Sequence, residues 1–419
     1  MTHAMDTHPA PHRLLSDKLQ EALDRAPVVI LSGARQVGKS TLVQGFDGAA
    51  ERRYLTLDHL PTLARAQQAP ETLVTEAPRL TLDEVQRAPD LMLAVKYVVD
   101  REKQPGQFLL TGSANLLLTR TSGESLAGRA QYLTLRPMTA READRRPLAN
   151  AWSALLDARD AEDALARLEP ALEIDWRERA LRGGFPPAAL ATSTTERAQW
   201  LEDYAATYLR RDLRELARID DLPGFSRLMQ LAALRTGGLL NQTALARDAA
   251  LARTTTLRWL SLLEATYLAT LLPPFFESRS RRLIASPKLF PGDTGLALHL
   301  CGVETGEQLE RLPRPGAWLE AWVLNELLAS LETRSPKPTL YHYRTATGLE
   351  IDFVLEAGQR RLPIEVKASA AVRPDDAKVL ESFCAEHGER APFGIVLHTG
   401  RDAHRLTAHT IAVPLGAVV

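Results

Sequence analysis

The sequence predicts an α/β chain: a parallel-sheet domain, then a mainly helical segment holding a helix-turn-helix, then a second, smaller α/β domain. Three observations predict it. The first is Gly33-Ala34-Arg35-Gln36-Val37-Gly38-Lys39-Ser40, a glycine-rich loop between a β-branched apolar run and a helical pattern. The second is the alternation of short apolar strands with helical patterns up to about residue 145, the pattern of a parallel sheet covered on both faces. The third is a pair of strand patterns at 350–355 and 362–367 whose polar positions are carboxylates and a lysine. The predicted segments are 12–145, 146–222, 223–295 and 296–419.

Composition limits the function classes. At 419 residues the chain has room for several cores, and 45% hydrophobic with 25% charged residues is ordinary for a globular protein. A net charge of −1 excludes a polyelectrolyte, so any nucleic-acid surface must be local. Cys301 and Cys384 are the only cysteines, which excludes a disulfide scaffold and a cysteine-rich zinc site and points to the cytoplasm. No apolar stretch of a secretory signal is visible in residues 1–11. The longest apolar tract, 257–276, is broken by Arg258 and Glu264 and ends in Pro273-Pro274, so no membrane span is expected.

The glycine loop has the chemistry of a phosphate cradle. Glycines let backbone N–H groups turn inward around an anion where a side chain would block the approach. The helix that follows adds its partial positive charge. Residues Gly33, Ala34, Arg35, Gln36, Val37, Gly38, Lys39, Ser40 and Thr41 are therefore the candidate nucleotide-binding set, with ATP and Mg²⁺ as the expected cofactors. Lys39 is expected to reach the β- and γ-phosphates and Ser40 to ligate Mg²⁺. The pattern has the form of a Walker A element, as in P-loop NTPases. A chance glycine loop is the plain alternative.

Arg79-Leu80-Thr81-Leu82-Asp83-Glu84 has the form of a Walker B element. Asp83 is expected to hold Mg²⁺ through water, and Glu84 to orient or deprotonate the attacking water. The alternative is a strand end running into a helix N-cap. Phe108-Leu109-Leu110-Thr111-Gly112-Ser113 is a third strand ending in small polar residues, with Ser113 the first candidate for sensing the γ-phosphate and Thr111 the second. A simple turn would read the same way. Arg129 is a candidate for stabilising charge on the γ-phosphate, in cis or across a subunit interface, or else a surface ion pair.

The segment 146–222 reads as a helical connector or lid, interrupted by Gly183-Gly184-Phe185-Pro186-Pro187 and carrying Tyr208-Leu209-Arg210-Arg211-Asp212-Leu213. Residues 223–295 read as a winged helix. Its first helix begins near Leu239-Leu240-Asn241-Gln242, Ala250-Leu251-Ala252 make the turn, 254–265 form the second helix, and 267–276 run into a wing. Between residues 205 and 290 there are 13 Lys or Arg against 7 Asp or Glu. Arg253, Arg258, Arg279, Arg281, Arg282 and Lys288 are the expected phosphate contacts to DNA. A protein-interaction module is the alternative.

In the last segment an amphipathic helix at 318–328 carries Glu320 and Glu326. Strand alternation puts Glu365 and Lys367 on one face, with Asp352 on the neighbouring strand. Two carboxylates can hold a hard divalent cation, the lysine can steady a phosphodiester, and Glu320 could complete the shell. Glu320, Asp352, Glu365 and Lys367 thus form a candidate site with the layout of a PD-(D/E)XK nuclease, making the domain restriction-endonuclease-like. A hairpin with a salt-bridged, solvated face is the alternative.

From about residue 14 to 370 the chain resembles a family of prokaryotic ATPases that pair an AAA-type domain with a C-terminal domain of unknown function. The resemblance rests on residues 33–41, Leu82-Asp83-Glu84-Val85-Gln86-Arg87, Leu110-Thr111-Gly112-Ser113, Gly128-Arg129 and Gly183-Gly184-Phe185-Pro186. It continues through Asp293-Thr294-Gly295-Leu296, Glu350-Ile351-Asp352-Phe353 and Ile364-Glu365-Val366-Lys367. It implies an ATPase domain, a winged helix and a nuclease-like terminal domain. The expected function is an ATP-hydrolysing switch or remodeller acting on DNA. An ATP-gated, Mg²⁺-dependent nuclease and a nucleotide-dependent partner of a toxin or regulator are the alternatives. An oligomer is allowed by these readings, and Arg129 acting in trans would need one.

Overall fold

The structure, a computed structural model, describes residues 12–112, 126–148, 150–207, 219–345 and 347–419; the side chain of Arg279 is not described. Ser113 and the run 208–213 fall outside the described residues. The chain divides into two compact units, Met1–Leu148 and Ala149–Val419. The expected segments 223–295 and 296–419, and most of 146–222, thus share the second unit. Among the described residues no helix is long and apolar enough to cross a membrane.

The first unit is built on five strands: β1 (Val28–Gly33), β2 (Arg53–Thr56), β3 (Leu80–Asp83), β4 (Phe108–Thr111) and β5 (Ala130–Leu135), in the order β2-β3-β4-β1-β5. Every pairing is parallel. Strands buried on both faces need apolar side chains without alternation, and β1, β3 and β4 are buried along their whole length. Val28, Ile30, Leu80, Leu82, Phe108 and Leu110 pack with Val95 and Val99 of the helix Leu91–Glu102. Because the strands are parallel, the ends of β1, β3 and β4 open at one edge, and that edge carries Gly33, Asp83 and Thr111. Ligands of such sheets bind there.

The second unit begins with short helices, including Ala151–Asp157 and Trp176–Arg182, and then forms the helix Leu222–Leu234, β6 (Gly238–Leu239), the helices Gln242–Asp248 and Arg253–Ala265, β7 (Ala269–Leu272) and β8 (Lys288–Pro291). The three strands make an antiparallel sheet in the order β6-β8-β7. A six-stranded sheet follows: β9 (Thr339–Arg344), β10 (Glu350–Ala357), β11 (Arg360–Lys367), β12 (Gly394–His398), β13 (His404–Arg405) and β14 (Thr410–Pro414), in the order β13-β14-β12-β11-β10-β9. β9, β10 and β11 form an antiparallel meander, whereas β11–β12 and β12–β14 are parallel. The helix Lys378–His387 makes the crossover from β11 to β12.

Two features differ from the sequence expectation. The helix expected to be amphipathic, Pro315–Leu331, buries residues around most of its circumference, from Ala317, Trp318 and Leu319 to Leu327 and Leu331. It is a core helix with Glu320 on its flank. The tract expected to run into a wing turns inward after β7. Pro274 bridges to His342 of β9, the Phe275 N–H donates to His342 O at 2.6 Å, and Phe275 is buried with Ile351, Val354, Leu380 and Phe383. Burying an aromatic ring outweighs leaving it on an exposed hairpin, so the outgoing strand is sewn into the terminal core.

Two of the glycine motifs are explained by close approach. The buried Asp293 caps the helix Thr294–Leu300 by accepting from Leu296 N at 2.8 Å and also accepts from Gly184 N at 2.7 Å. At Gly183, whose φ is +65°, a Cβ would lie 2.5 Å from the Asp293 carboxylate. Asp293 therefore clasps Gly183-Gly184-Phe185-Pro186 against Asp293-Thr294-Gly295-Leu296.

Candidate functional site

The nucleotide candidate forms where β1 ends. Gly33 has φ +152°, and a Cβ on it would lie 2.4 Å from Leu135 O, so only glycine fits. Gly38, at φ 97° and ψ 23°, turns the loop into the helix Lys39–Gly45. Between them Ala34 and Val37 are buried, while Arg35, Gln36 and Thr41 are exposed. Lys39 is 5% exposed, and its ammonium donates to Gly33 O at 3.2 Å and Ala34 O at 2.8 Å. Burial lowers its pKa to about 8, against the opposing pull of Glu84 and Asp83.

Asp83 ends β3 as a hub for hydroxyl groups. Its Oδ2 accepts from Ser40 Oγ at 2.8 Å and from Tyr54 Oη at 2.6 Å, and Thr111 Oγ1 donates to Oδ1. Burial first, and then the bond to Asp83, raises the Tyr54 pKa, so the phenol stays a donor. Glu84 sits in the left-handed region at φ 60°, its carboxylate accepting from the Gln86 amide. Burial raises its pKa, while Gln86 and Lys39 pull it back. Arg129 forms a surface ion pair with Asp100 and also donates to Ala127 O at 3.1 Å.

These residues fit a nucleoside triphosphate and Mg²⁺. The loop excludes side chains where phosphates would pass, the buried ammonium donates to two neutral loop carbonyls, and Ser40 with Asp83 offers the hard oxygen donors Mg²⁺ prefers.

The terminal candidate gathers on β10, β11 and the helix Pro315–Leu331. Asp352 Oδ2 accepts from Val366 N at 2.8 Å, and Lys367 Nζ donates to Glu365 Oε1 at 2.8 Å. A further lysine enters from β8. Lys288, 3% exposed, lies 3.0 Å from Glu350 and 3.9 Å from Asp352. Arg344 holds the other oxygen of Glu350 at 3.1 Å. Burial and then Asp352 push Glu320 up to about 8 and Glu365 up to about 7. Burial works against the Lys288 ammonium, yet Asp352, Glu320 and Glu350 together hold its pKa above the usual lysine value. Among the described residues no group of three or more His, Cys, Asp or Glu is placed to hold a metal ion. Asp352, Glu350 and Glu365 instead stand in ion pairs or hydrogen bonds with Lys288, Arg344, Lys367 and the Val366 N–H.

Comparison with known proteins decides the family. A model described as an AAA domain matches residues 25–143, and models of two domains of unknown function, DUF8612 and DUF4143, match 173–307 and 315–418. The uncharacterized protein Rv2008c of Mycobacterium tuberculosis is 31% identical over 402 residues, covering 96% of this chain and 83% of its own length. The chain belongs to this family of AAA-type P-loop ATPases with a C-terminal domain of unknown function. Among solved structures it is similar to the Walker-type ATPase PABY2304 of Pyrococcus abyssi, at 16% identity and TM-score 0.41 over 70% of this chain and 99% of that one. The Orc1 protein of Aeropyrum pernix, solved in complex with DNA, aligns at 14% identity and TM-score 0.28 over 70% and 92%.

Two residues of this ATPase escaped the sequence reading. Arg13 is buried, pairs with Glu142 at 3.0 Å and donates to Val37 O at 2.9 Å, bracing the nucleotide loop. Tyr54 reaches Asp83 from β2. Lys288 was assigned to phosphate contact by its charge alone. Arg282 is likewise turned inward, paired with Glu356 at 2.6 Å and stacked over Phe275 and Tyr341. Arg253, Arg258 and Arg281 remain exposed. No local motif marks Arg13 or Tyr54, because their partners are distant in sequence.

Proposed function

We propose that this ATPase is a nucleotide-driven switch that acts on DNA through the helix Arg253–Ala265. The observation that carries the ATP-hydrolysing part is the join of Ser40 to Asp83 at 2.8 Å beside a lysine that donates to loop carbonyls. Lys39 exchanges those carbonyls for β- and γ-phosphate oxygens. Ser40 and Asp83 would hold Mg²⁺, with Tyr54 and Thr111 fixing the aspartate's orientation. When bound, Mg²⁺ neutralises charge on the phosphates. Glu84, released from Gln86, orients the attacking water and takes its proton; burial has already raised its affinity for one.

The DNA part is supported by Arg253 and Arg258, exposed on the second helix of the helix-turn-helix, and by Arg281. None of the three makes an ion pair among the described residues, so their charge is free for phosphate contacts.

Steady-state ATP hydrolysis with duplex, single-stranded and branched DNA tests this, with Lys39→Ala as the blank. Stimulation by one DNA form, lost at high salt and in Arg253→Ala/Arg258→Ala, is the expected result. Hydrolysis indifferent to every DNA form would overturn the DNA part and favour a protein partner. No hydrolysis above the blank under any condition would overturn the catalytic part.

A further inference from the structure

We infer that Lys288 is the resident cation of the terminal carboxylate cluster, standing where a divalent metal would otherwise be required. The inference is independent of the nucleotide site. Each acid of the cluster that touches a partner already has one. Asp352 gives one oxygen to the Val366 N–H at 2.8 Å and turns the other to Lys288 at 3.9 Å. Glu350 is shared by Lys288 at 3.0 Å and Arg344 at 3.1 Å, and Glu365 is held by Lys367 at 2.8 Å. Among the described residues the buried Oε2 of Glu320 has no hydrogen-bond partner. Among the described residues no three or more acids or histidines are placed together to hold a metal ion, and Mg²⁺ demands near-octahedral oxygen coordination.

The lysine comes from outside the sheet it neutralises. β8 belongs to the small antiparallel sheet and delivers Lys288 to β10, while Phe275, in the same hairpin, is buried against β10 and the helix Lys378–His387. The turn before β6 closes the other side. A Cβ on Gly237 would lie 3.3 Å from Glu320 Oε2. The helix-turn-helix segment therefore carries the cation that the terminal domain's acids need, and an ammonium fixed by a strand cannot exchange as a bound ion does. Removing it leaves buried carboxylates uncompensated, which a dication could then relieve.

The test uses the nucleotide-free full chain carrying Ser40→Ala, so that the Walker hydroxyl contributes no metal affinity. Mn²⁺ binding is followed by isothermal titration, and thermal unfolding is measured with and without Mn²⁺. With Lys288 in place, no Mn²⁺ binding that depends on Asp352 is expected and the melting temperature is unmoved by Mn²⁺. Lys288→Met is expected to melt lower, to recover on adding Mn²⁺, and to bind Mn²⁺ at least tenfold more tightly; adding Asp352→Asn removes that binding. Mn²⁺ binding to the Lys288 chain that Asp352→Asn abolishes overturns the inference. So does a Lys288→Met chain with unchanged melting and unchanged Mn²⁺ affinity. If Lys288→Met does not fold, the first arm still decides. Lys288→Arg, which keeps the charge, then folds and again shows no Mn²⁺ response.

Discussion

Lys39 and Lys288 are both lysines buried to within a few per cent, at 5% and 3% exposure, and both stand beside carboxylates. Their chemistry runs in opposite directions. Among the described residues Lys39 hydrogen-bonds to the neutral carbonyls of Gly33 and Ala34, and burial drags its pKa down to about 8 against the pull of Glu84 and Asp83. Lys288 touches Glu350 and faces Asp352, and those acids overcome burial to raise its pKa. A buried ammonium on neutral dipoles is a charge awaiting an anion. One already matched by carboxylates is part of the framework. The same residue type therefore marks a working site in the first unit and a structural one in the second.

Crossed substitutions put the largest strain on this contrast. Lys39→Ala should lower ATP turnover by roughly 100- to 1,000-fold, as loss of a transition-state charge contact does, with little change in melting. Lys288→Met should do the reverse: it leaves turnover in place and costs about 3–5 kcal/mol of stability, the usual penalty for stranding one side of a buried ion pair. Turnover assays and urea denaturation check both. A Lys288→Met chain that melts normally but fails to hydrolyse ATP breaks the comparison.

The pH dependence sharpens it. Since the folded pKa of Lys39 lies below its unfolded value, its ammonium is present below about pH 8 and lost above it. Nucleotide affinity, read by fluorescence titration, should fall as pH rises past that value, by up to about tenfold per unit. The linked effect on stability has the opposite sign. The unfolded chain binds the extra proton between the folded and unfolded pKa values, so the Lys39 contribution to folding improves as pH rises through that window. An affinity flat across the range would show that Lys39 does not meet the phosphates.

Tyr54→Phe removes one of the hydroxyl donors from Asp83 and keeps the ring. A loss of about 0.5–1.5 kcal/mol is expected for one such bond, seen as a several-fold rise in the Mg²⁺ concentration needed for half-maximal hydrolysis with a near-normal melting curve. Lowered stability with an unchanged Mg²⁺ requirement would make Tyr54 a packing residue. The smallest effect is expected at Arg129. Its partner Asp100 is on the surface, so Arg129→Ala should leave turnover and melting nearly unchanged. A large fall in turnover that appears only at protein concentrations where the chain self-associates would instead place Arg129 at a neighbouring subunit's nucleotide.

Much of the architecture was legible because it rests on local rules. Gly33 and Gly38 sit where backbone geometry admits little else, Asp83 ends a strand, and the turn between Gln242–Asp248 and Arg253–Ala265 falls at the expected alanines. Strand alternation correctly places Glu365 and Lys367 on one face, 2.8 Å apart. The terminal site was less legible. Counting charge between 205 and 290 could not separate Arg253, which faces solvent, from Lys288 and Arg282, which face inward.

Local patterning was enough to specify the two α/β sheets, the helix pair at 242–265 and the loop that ends β1, since period, glycine placement and strand-end acids are set by neighbours along the chain. What the charged residues do depended on long-range packing. Tyr54 and Thr111 converge on Asp83, Arg13 braces Val37, and β8 brings Lys288 to Asp352 through strand pairings and buried rings far apart in sequence. A charge acquires its role from the groups that replace its water, and those groups are known only once the chain has folded.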